Sequence, residues 1–444
     1  MVAQLFFVLA SGLASFLVFK RAKFITRNIQ LGKELKRTDN ANERWKNMVL
    51  VALGQKKMFK KPVPAILHLF LYLGFLIINI EVLEIVLDGI TGQHRIFLNF
   101  MSPSIYASLI SGFEILAVLV LVGCVLFFIR RNVMKVRRFH SEEMGSWPKN
   151  DANLILIIEV VLMTAILLMN AADGALQGIG NIHYPQAGDF IVSSHITTWI
   201  EGMSEGSLIF LERFCWWLHI LGIMAFAVYI TYSKHLHLFL AFPNTFYANM
   251  ESKGKMRNMP EIGHEVKMML DPSAMPADGQ MPPPPERFGA KDATDLSWKH
   301  IMEAYTCTEC GRCTAECPAN ITGKKLSPRK IMMDTRDRIE EIGRNIDTNK
   351  GSFKDDGKSL LGDYITAEEL RACTTCNACV EACPVQIEPV SIINELRRHQ
   401  IMDLADAPGE WNMMFTNVEN NQAPWQFSPT DRFNWAQDLK NENN

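Results

Sequence analysis

Two twelve-residue stretches decide the reading of this chain: CTECGRCTAECP at 307–318 and CTTCNACVEACP at 373–384. Both spell C-x-x-C-x-x-C-x-x-x-C-P. Together they hold eight of the ten cysteines, Cys307, Cys310, Cys313 and Cys317 in the first run and Cys373, Cys376, Cys379 and Cys383 in the second. In a small secreted protein such cysteines would be disulfides; in a chain of 444 residues, two tight runs point to metal binding in a reducing compartment. Zinc sites also use C-x-x-C pairs, but rarely gather four cysteines so tightly ahead of a proline.

The spacing is that of bacterial two-cluster ferredoxins, in which three thiolates of one run and the fourth of the other hold each 4Fe-4S cube. One cluster then takes Cys307, Cys310, Cys313 and Cys383, and the other Cys373, Cys376, Cys379 and Cys317. This crossing forces the runs together. They are 55 residues apart, more than a compact ferredoxin needs, and the spacer is rich in helix formers. We therefore expect an all-helical two-cluster ferredoxin domain over 291–405, with Ser297–Tyr305 and Ser327–Ile342 helical.

N-terminal to it the composition changes. The first 245 residues contain several apolar runs, each long enough to cross a hydrocarbon core of about 30 Å, whereas residues 250–444 contain none. Spans are expected at approximately 2–19, 63–87, 106–129, 152–170 and 206–233, the last ending near Ser233. The first run lacks a charged segment before it and is followed by Lys20, Arg21 and Lys23, so it reads as a retained span, not a cleaved signal. Lys33, Lys36, Arg37, Lys56, Lys57, Lys60, Lys61 and the segment Arg130–Arg138 mark cytoplasmic loops, while 88–105 and 171–205 carry only Arg95. The N-terminus is then outside and the C-terminal half inside. The net charge of -2 leaves no nucleic-acid footprint. The fold expected is mainly α: a five-helix transmembrane domain over 1–245, a proline-rich linker over 246–290 containing DPSAMPADGQMPPPP, the ferredoxin domain, and a tail over 406–444.

Ionisable groups inside spans are costly and mark function by default. His68 lies near the inner end of the second span, His219 in the fifth, and His237 at that helix's inner end. Eighteen residues separate the last two, five full turns of a continuous helix or about 27 Å, suited to two haems stacked across the bilayer. His68 matches the depth of His237, and the two form the preferred axial pair for one b-type haem, with His235 as second choice. His219 would need a ligand such as His94, His183 or His195, or a non-histidine ligand. Any one of these histidines could instead make a helix–helix hydrogen bond. Glu81, Glu84, Glu114 and Glu159 are candidate proton carriers to a quinone, or paired structural groups. Cys124 and Cys215 read as small apolar residues.

The five-span topology and the H-x17-H spacing of His219 and His237 resemble the haem-binding gamma subunit of respiratory nitrate reductase. That family carries two histidines ten residues apart in its second span, where this chain has Ile78 at the second position. CTECGRCTAECPANITGKKLSPRKI and ACTTCNACVEACPVQIEPV resemble the iron-sulfur domain of heterodisulfide reductase-like proteins, and the combination is similar to membrane-bound electron-transfer-flavoprotein:quinone oxidoreductases. In those fused proteins CCG domains follow. Here the tail NVENNQAPWQFSPTDRFNWAQDL holds no cysteine, so a separate CCG-domain subunit is expected.

These resemblances imply an electron-transfer subunit of the bacterial cytoplasmic membrane. It would link a cytoplasmic donor to the quinone pool through two 4Fe-4S clusters and one or two b-type haems, without a catalytic residue of its own. Quinol-driven reduction of a thiol or disulfide partner, and a cluster-based redox sensor or docking module, are the alternatives.

Overall fold

Apolar runs lacking internal polar breaks form helices because lipid offers their backbone no hydrogen bonds. In the computed structural model, which describes residues 1–271, 273, 275 and 286–442, five helices are long and apolar enough to cross a membrane: Val2–Gln30, Pro62–Thr91, Pro103–Asn132, Ser146–Gly178 and Glu205–Ile230. No strand occurs among the described residues, only two isolated β-bridges. The second and third helices begin on a proline, which has no N–H to lose in a first turn. They also approach closely: a Cβ added at Gly74 would lie 2.4 Å from Val120 Cγ2. The fourth and fifth helices meet through Leu162, Ile166, Cys215, Trp216 and Ile220, all buried.

Two expectations change. The first helix does not stop at the basic residues after Phe19 but runs on to Gln30, because its charged end is clamped from outside the apolar bundle. Arg21 donates two hydrogen bonds to Glu340, at 3.1 and 2.7 Å, and the pair is largely buried. Tyr305 and Asn28 extend the clamp, with Tyr305 Oη donating to Glu340 at 2.8 Å and Asn28 Nδ2 to Tyr305 Oη at 2.9 Å. The fifth helix, by contrast, ends early. After Ile230 the chain turns, Ser233 caps a short 3-10 turn by accepting from the His235 N–H, and Asp151 accepts from the Lys234 N–H. His237 therefore opens a separate helix, His237–Phe246, and does not continue the one that carries His219.

The cysteine-bearing region sits against one end of the bundle, here called the near end. Basic loops meet it there: Arg329 donates to the Arg138 carbonyl at 2.6 Å and to Glu143 at 2.7 Å, Lys57 to the Val380 carbonyl at 3.1 Å, and Lys61 pairs with Glu316 at 2.9 Å. Backbone pairing of Lys33 with Leu296 and Trp298 closes the seam. Within 246–290 the sequence suggests only a linker, yet Pro260–Leu270 is helical, with Pro260 at its first position. The proline-rich core of that linker, residues 272, 274 and 276–285, lies outside the described residues.

Candidate iron-sulfur site

Each cysteine run is built the same way. A capped helix, Trp298–Thr306 after Ser297 and Ala367–Ala372 after Thr366, delivers the first cysteine at its C-terminus. The loop then turns through two left-handed residues flanking the second cysteine, Glu309 and Gly311 in the first run, Thr375 and Asn377 in the second. Glycine and asparagine are the residues that tolerate this conformation best. At Gly311 there is no space for a side chain either, since a Cβ would lie 2.4 Å from Arg329 Nη1. A short helix, Arg312–Ala315 or Ala378–Ala382, presents the third cysteine.

All eight thiols are unbridged, and they line two adjoining cavities. A cavity of about 390 Å³ is bordered by Cys307, Cys310, Cys313 and Cys383; one of about 320 Å³ by Cys317, Cys373 and Cys376. Cys379 borders both. Each cavity thus draws cysteines from both runs. No three histidine, cysteine or carboxylate side chains among the described residues gather closely enough to hold a single metal ion, so the sulfurs surround space instead of converging on a point. Burial pushes the thiols of Cys307 and Cys379 up to about 12 and that of Cys383 up to about 11. Such thiols become thiolates only when a bound cation draws off the proton. Backbone N–H groups already face the sulfur atoms, Thr375 N to Cys373 Sγ at 3.4 Å and Ile387 N to Cys383 Sγ at 3.3 Å.

A family described as a 4Fe-4S dicluster domain matches residues 306–387. This part of the chain is similar to that family. Over 97% of its length the chain is 27% identical to the probable iron-sulfur-binding oxidoreductase FadF of Bacillus subtilis, covering 60% of that protein. It is 25% identical over 90% of its length to the EtfAB:quinone oxidoreductase of Syntrophomonas wolfei, covering 55% of it. Over 34% of its length it is 33% identical to the probable membrane-anchored ferredoxin of Chromohalobacter salexigens, covering 24% of it. The chain thus spans 55 to 60% of the first two relatives. No solved structure matches it. The relatives are iron-sulfur oxidoreductases, and the dicluster domain here is joined to five helices fit to cross a membrane.

Of the 390 Å³ and 320 Å³ cavities, the first is tied to a loop of the bundle through Arg329, which donates to the Arg138 carbonyl at 2.6 Å. Arg312 and Arg329 line the former, and Arg138 and Lys57, from loops of the bundle, act electrostatically on Cys310 and Cys383. Arg312 also acts on His68. The imidazoles of His68 and His237 are brought together, with ring centres 6.4 Å apart and planes tilted by 45°. His68 Nδ1 pairs with Gln55 Oε1 at 3.1 Å and His237 Nδ1 with the Lys234 carbonyl at 3.0 Å, leaving Nε2 as the remaining nitrogen of each. His235 stands edge-on to His237 at 5.4 Å.

His219 is fully buried and alone. Its Nδ1 meets the Leu162 carbonyl at 2.9 Å and its Nε2 has no partner. None of the loop histidines approaches it: His94 pairs with Asp173, and His183 and His195 are exposed. At the far end of the bundle Glu84 and Glu114, both candidates in the sequence, join a buried polar assembly built around Arg95, whose central place in it no local sequence signal gives away.

Proposed function

We propose that this chain is a membrane electron-transfer subunit that moves electrons between a soluble donor and the quinone pool. In this reading Cys307, Cys310, Cys313 and Cys383 hold one 4Fe-4S cluster and Cys373, Cys376, Cys379 and Cys317 the other. Support comes from the two adjoining cavities, each with cysteines of both runs and one tied to a loop of the bundle through Arg329. When bound, the clusters and a b-type haem supply one-electron chemistry.

His68 and His237 are the proposed axial ligands. Their ring centres, 6.4 Å apart, set the two imidazoles close enough that both would hold one group between them. Gln55 and the Lys234 carbonyl, each bonded to Nδ1, fix the tautomer that frees Nε2. The spare, buried Nε2 of His219 makes it the candidate for a second haem, as in the resemblance to the nitrate reductase gamma subunit. Lysines and arginines at the near end favour the cytoplasmic side of a bacterial inner membrane for the dicluster domain.

The donor side is proposed to be an electron-transfer flavoprotein or a separate CCG-domain subunit, docking on the tail over 406–444. Its helix Gly409–Asn421 and the residues after it expose Trp411, Phe415, Trp425, Phe427 and Trp435, an apolar surface of the kind that partners cover. The reverse flow, from quinol to a thiol or disulfide partner, draws support from similarity to part of the dihydromethanophenazine:CoB–CoM heterodisulfide reductase of Methanosarcina mazei, 26% identical over 33% of the chain. Iron and haem assays with EPR test the proposal: about eight cluster irons, cluster signals in the dithionite-reduced protein and a low-spin bis-imidazole haem signal in the oxidised protein are expected. Zinc in place of iron would end it, and cluster midpoint potentials above that of the quinone would select the reverse flow.

A further inference from the structure

Five carboxyl groups crowd the far end of the bundle around a single buried guanidinium. Arg95 donates through Nε to Asp173 at 2.5 Å, through Nη1 to Tyr106 Oη at 2.8 Å and through Nη2 to Asn170 Oδ1 at 2.9 Å. Four of the five acids are fully used as acceptors. Glu84 takes the Phe97 N–H and Tyr106 Oη; Asp88 takes the N–H groups of Arg95 and Ile96. Glu114 takes Asn170 Nδ2 and caps the helix Ser193–Ile200 through the N–H groups of Val192 and Ser193. Asp173 takes Gln177, His94 and Arg95. These four hold the fold together.

Glu81 is different. It is only 2% exposed, and its Oε1 has no partner. It lies ten residues short of the second helix's end at Thr91, about 15 Å deep, and thirteen residues or about 20 Å from His68. The groups facing it are Glu84 on its own helix, Arg95 from the loop, Glu114 on the third helix and Asn170 on the fourth. A carboxylate without a cation of its own is not kept charged at such depth, so this acid holds a proton.

From Glu81 the polar groups continue outward. Asn170 bonds Arg95, Arg95 bonds Asp173, and Asp173 Oδ2 meets His94 Nε2 at 2.9 Å. His94 Nδ1 faces Arg213 Nη2 at 3.4 Å, and the Arg213 side chain is 42% exposed. The geometry points to Glu81 as a buried carboxyl that exchanges its proton through water admitted along this polar seam, a route that opens on the membrane face opposite the dicluster domain. Asn170, Arg95, Asp173 and His94 line it without the amide or the guanidinium carrying the proton. The proton moves between Glu81 Oε1 and water at that face. A carboxyl with a free oxygen among apolar helices can give a proton to, or take one from, a neutral redox headgroup of the quinone class. That use of the route rests on the function proposed above; the route itself does not.

Infrared spectroscopy of the full chain in lipid nanodiscs tests it. Wild type and Glu81→Asp are expected to show a protonated-carboxyl C=O stretch at neutral pH that Glu81→Gln lacks. Transfer to D₂O shifts this band, and His94→Phe is expected to slow the shift at least tenfold with helicity and iron content unchanged. An unchanged spectrum in Glu81→Gln, or an unchanged exchange rate in His94→Phe, overturns the route. Adding decylubiquinone separates the two readings: a band shift on binding supports headgroup contact, and a band that exchanges normally but ignores the quinone removes only that contact.

Discussion

The two cysteine-lined cavities are near copies in sequence and unlike in surroundings. The larger is walled by Arg312 and Arg329, both buried, and Arg329 donates to the Arg138 carbonyl in a loop of the bundle. The smaller has no arginine or lysine in its lining and includes Cys376, the only one of the ten cysteines that is exposed. Ligand spacing is the same in both, so burial and charge distinguish them. On the proposed reading the open cavity faces soluble partners, and the walled one faces the histidine pair.

The largest effect that could break this comparison is loss of a crossing ligand. Cys383→Ser is expected to remove about four irons and the EPR signal of the walled centre, with electron transfer into the bundle falling at least about 100-fold. If the signal lost belonged instead to the centre most readily bleached by ferricyanide, the assignment of walled and open cavities would be reversed. Next comes His237→Ala, which is expected to abolish low-spin haem absorbance while leaving both cluster signals. Retention of the absorbance would shift the ligand role to His235.

Smaller effects sharpen the contrast. Arg21→Ala leaves Glu340 buried without its bidentate partner and should loosen the docked domain by about 3 kcal/mol, read as faster hydrogen exchange in Pro328–Thr348. Unchanged protection there would mean that other contacts carry the seam. Arg312→Gln removes a cation beside the walled cavity and should lower that centre's midpoint potential by on the order of 50 mV, with less effect on the open one. Equal shifts in both would erase the electrostatic distinction.

Much of the architecture could be read from local pattern. Apolar runs located the five helices, since length and composition alone qualify a helix to span, and the cysteine spacing named the residues that line common cavities. What escaped depends on partners remote in sequence. The first helix outlasts its apolar run because Arg21 meets Glu340, 319 positions away. The break after Ile230 uses Asp151, 83 positions from the Lys234 N–H it accepts. Arg95 draws its meaning from Asn170 and Asp173, 75 and 78 positions on. No periodicity in the sequence encodes such pairings.

The unbroken first helix has a mechanical consequence. Its 29 residues make a rod of about 43 Å, roughly 13 Å longer than the hydrocarbon layer is thick. The surplus works as a lever arm bolted to the helix Pro328–Thr348. A thicker or thinner bilayer that tilts the rod must also swing the cysteine-bearing body, so lipid composition becomes a setting for its stance above the membrane.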